Sequence, residues 1–205
     1  KADGGTFDGN VTMAGTLTGT TATFSTADNN PQLILKSTDA DADRGPVVQF
    51  TRDSASPADN DILGRMQFLF DNDAGETTTA VQIEAATTDV SDSTEDASLN
   101  IVTMVGGTTR GRLKFTPSEA VFNEDSQDID FRVESNGNAN MLVVDGGNDR
   151  VGIGEGTPDV PLHITYTKDV AYSIDNFTQD ANCGLKIENT STTDNSMSII
   201  QFRTG

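Results

Sequence analysis

A chain of 205 residues that carries 32 Asp and Glu against 13 Lys and Arg, for a formal net charge of −19, is a poor partner for nucleic acid or an anionic membrane, because binding phosphate needs Lys and Arg to displace counterions. The strong core formers, 10 Leu, 11 Ile, 14 Val and 10 Phe, fill only 45 of the 205 positions, so one copy would have a thin core and gain by burying apolar surface against further copies. Cys183 is the single cysteine, which excludes an intrachain disulfide framework, and no apolar run approaches the ~18 residues of a membrane-spanning helix, so no membrane insertion is expected.

In chain order, residues 1–30 differ in kind from the remainder of the chain. Gly occurs at positions 4, 5, 9, 15 and 19, with Phe7, Val11, Met13, Leu17 and Phe24 spaced singly between them. One copy cannot bury a core from this, whereas several copies wound about an axis can, with Gly turning the chain and one apolar residue per short strand facing inward. A flexible linker is the plainer reading, but linkers rarely place apolar residues so regularly. An intertwined trimeric shaft segment is therefore expected over 1–30.

From residue 31 the pattern is alternation of period two, with no window of helical spacing, which predicts an all-β fold. Strands are expected at Leu33–Lys36, Val47–Arg52, Ile62–Phe70, Ala80–Ala85, Leu99–Val105, Arg112–Thr116, Ile129–Val133, Asn140–Val144, Arg150–Ile153, Leu162–Thr165, Gly184–Asn189 and Met197–Arg203. Turn residues separate them: Asp71 to Gly75, Gly106-Gly107, Ser135 to Asn138 and Asp145 to Asp149 all tolerate the positive φ that tight hairpins use. Thr87–Ala97 reads as a long polar loop.

A long-range repeat organises the module. The stretch from Pro31 to Arg52 aligns with that from Cys183 to Gly205, two apolar-centred strands around a polar loop, ending in Gln49-Phe50 and Gln201-Phe202. Repetition of this kind points to an elongated array in which each unit docks on its neighbours. The expected division is a Gly/Thr-rich shaft at 1–30, a β-rich fibre module at 31–165, and a connector with the start of a second copy at 166–205.

Ile62 to Glu76, Asp92 to Phe115 and Phe122 to Ile164 resemble modules that recur in the tail fibres and appendages of tailed bacteriophages, those of marine phages especially. In that family a Val-Gly-Ile-Gly segment, then Thr-Pro, then Leu-His-Ile closes one module and opens the next. Here these are Val151 to Gly154, Thr157-Pro158 and Leu162-His163-Ile164, with Glu155-Gly156 altering the usual spacing. The resemblance, over roughly residues 30 to 205, implies an elongated homotrimeric fibre on the virion that contacts other tail proteins, supports host attachment and faces a host surface receptor.

Against that expectation stand four groups that could carry chemistry. Gly152 to Gly156 contains a Gly-x-Gly-x-Gly run, but no helix pattern comes after it as dinucleotide binding requires, so a strand bend with close chain packing fits better. His163 is the only histidine and has no second ligand near it in sequence. Asp39, Asp41 and Asp43 open like a calcium loop, yet Arg44 stands where Gly belongs and Phe50 where a bidentate Glu belongs, so a solvated acidic hairpin tip is expected. No carboxylate pair stands out for a tailspike-type glycan hydrolase, and the chain has no Trp and two Tyr to stack on sugar. No catalytic, cofactor or metal residue is assigned and no enzyme activity is expected. A tailspike-type enzyme segment and a bacterial surface adhesin remain as alternatives. The module is read as a shaft or mid-fibre spacer, with the Thr87–Ala97 loop as the competing receptor contact.

Overall fold

The computed structural model describes residues 14–43 and 45–166. The chain divides into two units, Lys1–Gln49 and Phe50–Gly205. Among the described residues there is no helix, and the nine strands form two sheets, so the fold is all-β.

The described part of the first unit contains no strand. Local side-chain turns organise its backbone instead: Asp28 Oδ1 accepts from the Asn30 N–H at 2.9 Å, Asp39 Oδ1 from the Asp41 N–H at 3.4 Å, and Asp41 Oδ1 from the Asp43 N–H at 3.0 Å. The expected strands Leu33–Lys36 and Val47–Arg52 are corrected accordingly, since neither is part of a ladder. An isolated two-stranded hairpin is marginal in water without a third strand or a packing layer, and Leu33, Ile34, Leu35, Val47 and Val48 are all exposed. Leu17 and Phe24 of the Gly-rich segment are exposed as well. The expected strands Gly184–Asn189 and Met197–Arg203, Cys183, and the second half of the repeat lie outside the described residues.

In the second unit, β1 (Ile62–Asp71), β2 (Thr77–Asp89), β3 (Asp96–Val105), β4 (Thr108–Phe115) and β5 (Ala120–Phe122) form an antiparallel meander in that order. Each connection is a turn whose chemistry is local. Asn72 closes the first: its Oδ1 accepts from the Ala74 and Glu76 N–H groups at 3.0 and 2.9 Å, and Gly75 takes φ of 80°. Gly106 and Gly107, at φ of 55° and 79°, make the two-residue hairpin between β3 and β4, where both central residues need positive φ. Thr116 to Glu119 is the last turn, with Pro117 at its second position and the Thr116 N–H donating to the Glu119 carbonyl at 2.9 Å. Alternation does not predict β5, because Ala120, Val121 and Phe122 are all apolar and show no period of two.

The second correction concerns Thr87–Ala97. Thr87 pairs with Ala97 and Asp89 with Asp96, so the long polar loop shrinks to a tip at 90–95, pinned where the Val90 N–H donates to Asp59 Oδ1 at 3.0 Å.

β6 (Phe131–Val133), β7 (Leu142–Asp145), β8 (Arg150–Ile153) and β9 (Leu162–Ile164) form the second sheet in that order. Its last pair is parallel, joined by residues 154–161. That is shorter than the dozen or so residues a parallel crossover ordinarily needs. Two glycines allow it. Gly154 turns the chain at φ of 73°, and Gly152 has no Cβ to collide with the Glu155 carbonyl oxygen above it. The crossover is then tied down by the Arg150 guanidinium donating to the Pro158 carbonyl at 2.8 Å. Val143, Gly152 and Pro158 are the only buried residues among those described.

Gly152→Ala is expected to destabilise the fold by about 1–3 kcal/mol, because the added methyl meets backbone rather than a movable side chain. Gly137→Ala, where nothing lies within 4 Å, should be close to neutral. Urea unfolding followed by far-UV circular dichroism compares the two.

Candidate functional site

The cross-strand register sorts the first sheet into two chemically opposite faces. Residues paired across a ladder share a face, and successive residues alternate. One row runs Met66, Ile83, Ile101, Leu113, Phe122 across all five strands, and the next row on that face runs Gly64, Ala85, Leu99, Phe115, Ala120. None of these ten positions is polar. At one edge, Phe50, Gly64, Met66, Ile83, Ala85 and Leu99, with Leu63 and Arg65, line a shallow, mostly apolar groove of about 320 Å³.

The other face reads Arg65, Glu84, Asn100, Lys114, Val121, with Gln67, Gln82 and Val102 in the neighbouring row. Its polar groups satisfy one another: Arg65 pairs with Glu84, Gln67 Nε2 donates to Gln82 Oε1 at 2.9 Å, and Lys114 Nζ lies 2.7 Å from Glu124 Oε1. The Glu124 carboxylate, by hydrogen bond and charge, raises the Lys114 pKa above its ordinary value. This face needs only water outside it, whereas the apolar face, apart from Phe50 over Gly64, is largely uncovered among the described residues.

The second sheet repeats the arrangement. Phe131, Val144, Val151 and Leu162 form one unbroken apolar row, and the pairs Val133–Leu142 and Ile153–Ile164 continue that face two residues along. On the opposite side lie Arg132, Val143, Gly152 and His163, where the crossover covers Gly152 and Val143 is only 3% exposed. The sheets meet at Phe122 and Phe131, whose ring centroids are 4.7 Å apart. Both rings belong to the uncovered faces, so the contact joins the two faces into one surface. The link between them is held by Asn123, whose side chain donates to the Gln127 carbonyl at 2.7 Å and accepts from its N–H at 3.0 Å. The sequence shows the alternation in each strand but not that these residues align. Phe122 escapes it altogether, and the turn residues Thr116 to Glu119 are the signal that could have placed its strand.

The four groups considered for chemistry have local roles. Asp39 and Asp41 serve backbone turns, and among the described residues no cluster of His, Cys, Asp and Glu has metal-site geometry. Gly152 to Gly156 is strand end and crossover. His163 Nε2 lies 3.2 Å from Thr165 Oγ1, while its Nδ1 sits 3.1 Å from Asp159 Oδ1 without the alignment of a hydrogen bond.

Glu155 ties the crossover to the strand end after β9. The Thr157 N–H donates to it at 2.8 Å, and the hydroxyls of Thr157 and Thr165 do so at 3.0 and 3.1 Å. These bonds, the Thr157 N–H foremost, hold its pKa below the ordinary 4.5. With the folded value below the unfolded one, the stabilisation is complete above pH 4.5 and is lost as pH falls through the lower folded value. An NMR titration should place Glu155 below 4.5, with Thr157→Ala and Thr165→Ala together moving it back up; a wild-type value at or above 4.5 would contradict the geometry.

The chain matches no protein-family model, and no curated protein matches it.

Proposed function

We propose that this chain is a segment of a bacteriophage tail fibre: a non-enzymatic shaft or mid-fibre module, homotrimeric and carried on the virion, that contacts other tail proteins and spaces the particle from the cell it attaches to. One observation carries the reading. Val143 and Pro158 are the only buried apolar side chains among the described residues, although two ordered sheets each present a largely apolar face. Sheets built this way are suited to a protein whose core is shared between copies.

Four further features support it. The resemblance of Ile62 to Ile164 to fibre modules supplies the setting. The repeat that relates Gln49-Phe50 to Gln201-Phe202 suits a spacer, since duplication lengthens a fibre without altering a unique binding site. The carboxylates of Asp39, Asp41, Asp145 and Glu155 are engaged in backbone turns, a structural use. The net charge of −19 also gives little electrostatic attraction to a negatively charged envelope, which favours recognition elsewhere along the fibre.

Light scattering on the chain should give three times the 21.7 kDa of one copy, and a stable monomer with full β content would overturn the assembly. Added to susceptible cells before infection, the trimer should leave phage attachment unchanged. Blockade of attachment would make this segment the receptor-binding part and end the spacer reading.

A further inference from the structure

We infer that the apolar face running through Ile101 and Leu113 of the first sheet, and continuing through Phe131 and Val144 of the second, is covered by the same face of other copies of this chain, leaving the Arg65–Glu84 face outward. This deepens the proposed assembly and rests on it, by naming which surface forms the shared core.

Extent is the first argument. The most open of the large side chains on these rows run from 37% exposed at Ile83 to 56% at Leu162. At the ~150–250 Å² of a large apolar or aromatic side chain, the uncovered area of the rows is on the order of 700 Å². That exceeds the ~300–600 Å² of the largest patch on an ordinary monomer and approaches the ~800 Å² each partner brings to a stable interface.

Continuity is the second. The Phe122–Phe131 contact makes the surface run through both sheets, so a small ligand or a short peptide would leave most of it wet. An occupant of matching length and matching apolar rows is the same face of another copy.

Charge decides the orientation. At −19 per copy, chains brought together repel, and the repulsion is least where no charged side chain enters the contact. The two rows of the first sheet contain none, whereas packing through the opposite face would bring Glu84 against Glu84 and desolvate Arg65 and Lys114.

Two methionines test this without substitution. Met66 lies on the apolar face of β1, and Met104, which pairs with Thr109, lies on the opposite face of β3. In the assembled protein with isotope-labelled methionine methyls, a soluble paramagnetic agent should broaden Met104 and spare Met66. Shielding of Met104 with Met66 broadened, in an assembly confirmed by light scattering, would overturn the inference while leaving the proposed assembly intact. A monomer with both methyls broadened would overturn both. As a second arm, Ile101→Asp should abolish assembly while Asn100→Asp, one residue along on the other face, keeps it. Full assembly of Ile101→Asp would sink the inference, and should that variant fail to fold, the wild-type methyl measurement still decides.

Discussion

The pleat commits each side chain of a strand to one of two faces, and the meander β1 to β5 holds its register across five strands so that Met66, Ile83, Ile101, Leu113 and Phe122 fall on one line. Slipping any one strand by a single residue would carry its apolar set onto the side where Arg65, Glu84, Gln67 and Gln82 satisfy one another, and would leave those polar groups against hydrocarbon. Surface ion pairs such as Lys114–Glu124 contribute ~0.2–1 kcal/mol each. Apolar surface on the order of 700 Å² is worth ~17 kcal/mol at ~25 cal/mol per Å². Covering the apolar face therefore outweighs the ion pairs, and it is the contribution that the described residues leave largely unmade.

The turns act to protect the register rather than to add much energy. Asn72 and the pair Gly106-Gly107 hold the hairpins at lengths that keep odd and even residues on their proper sides. The bulges lie where the β1–β2, β2–β3 and β3–β4 registers shift. The shift between Ile101 and Val102 leaves Arg112 as an extra residue of β4, and its Nε donates to Thr103 Oγ1 at 2.6 Å. A bulge here ends the apolar rows with a polar contact and raises the local twist.

The second sheet reaches the same result by a different route. Its short parallel pair would ordinarily require a long crossover, yet glycine at 152 and 154 lets residues 154–161 fold back over the Val143 side. One face is thereby covered by the chain's own backbone, with Pro158 buried and Glu155 tied to Thr157 and Thr165. Among the described residues the face carrying Phe131 and Leu162 stays open, with Leu162 56% exposed. The Val-Gly-Ile-Gly run is thus a packing device: a side chain at either glycine would push the crossover off the sheet.

Much of this is legible in the residues. Period-two alternation locates eight of the nine strands, because a half-buried strand must alternate, and Gly106-Gly107 marks its hairpin because only glycine takes two positive φ values cheaply. The scarcity of Leu, Ile, Val and Phe announces the thin core. The same alternation predicts strands at Leu33–Lys36 and Val47–Arg52 that do not form, since pattern records what a segment can bury and not whether a neighbour exists to pair with it. For the same reason Thr87–Ala97 passes for a loop: Thr and Ala are neutral until Thr87 finds Ala97 across the ladder. Composition and periodicity suffice to make this protein all-β and short of apolar residues for a core. Which of those residues stand together is settled in three dimensions, because rows across a sheet and the Phe122–Phe131 junction are set by register between segments, a non-local quantity that no single stretch of sequence contains.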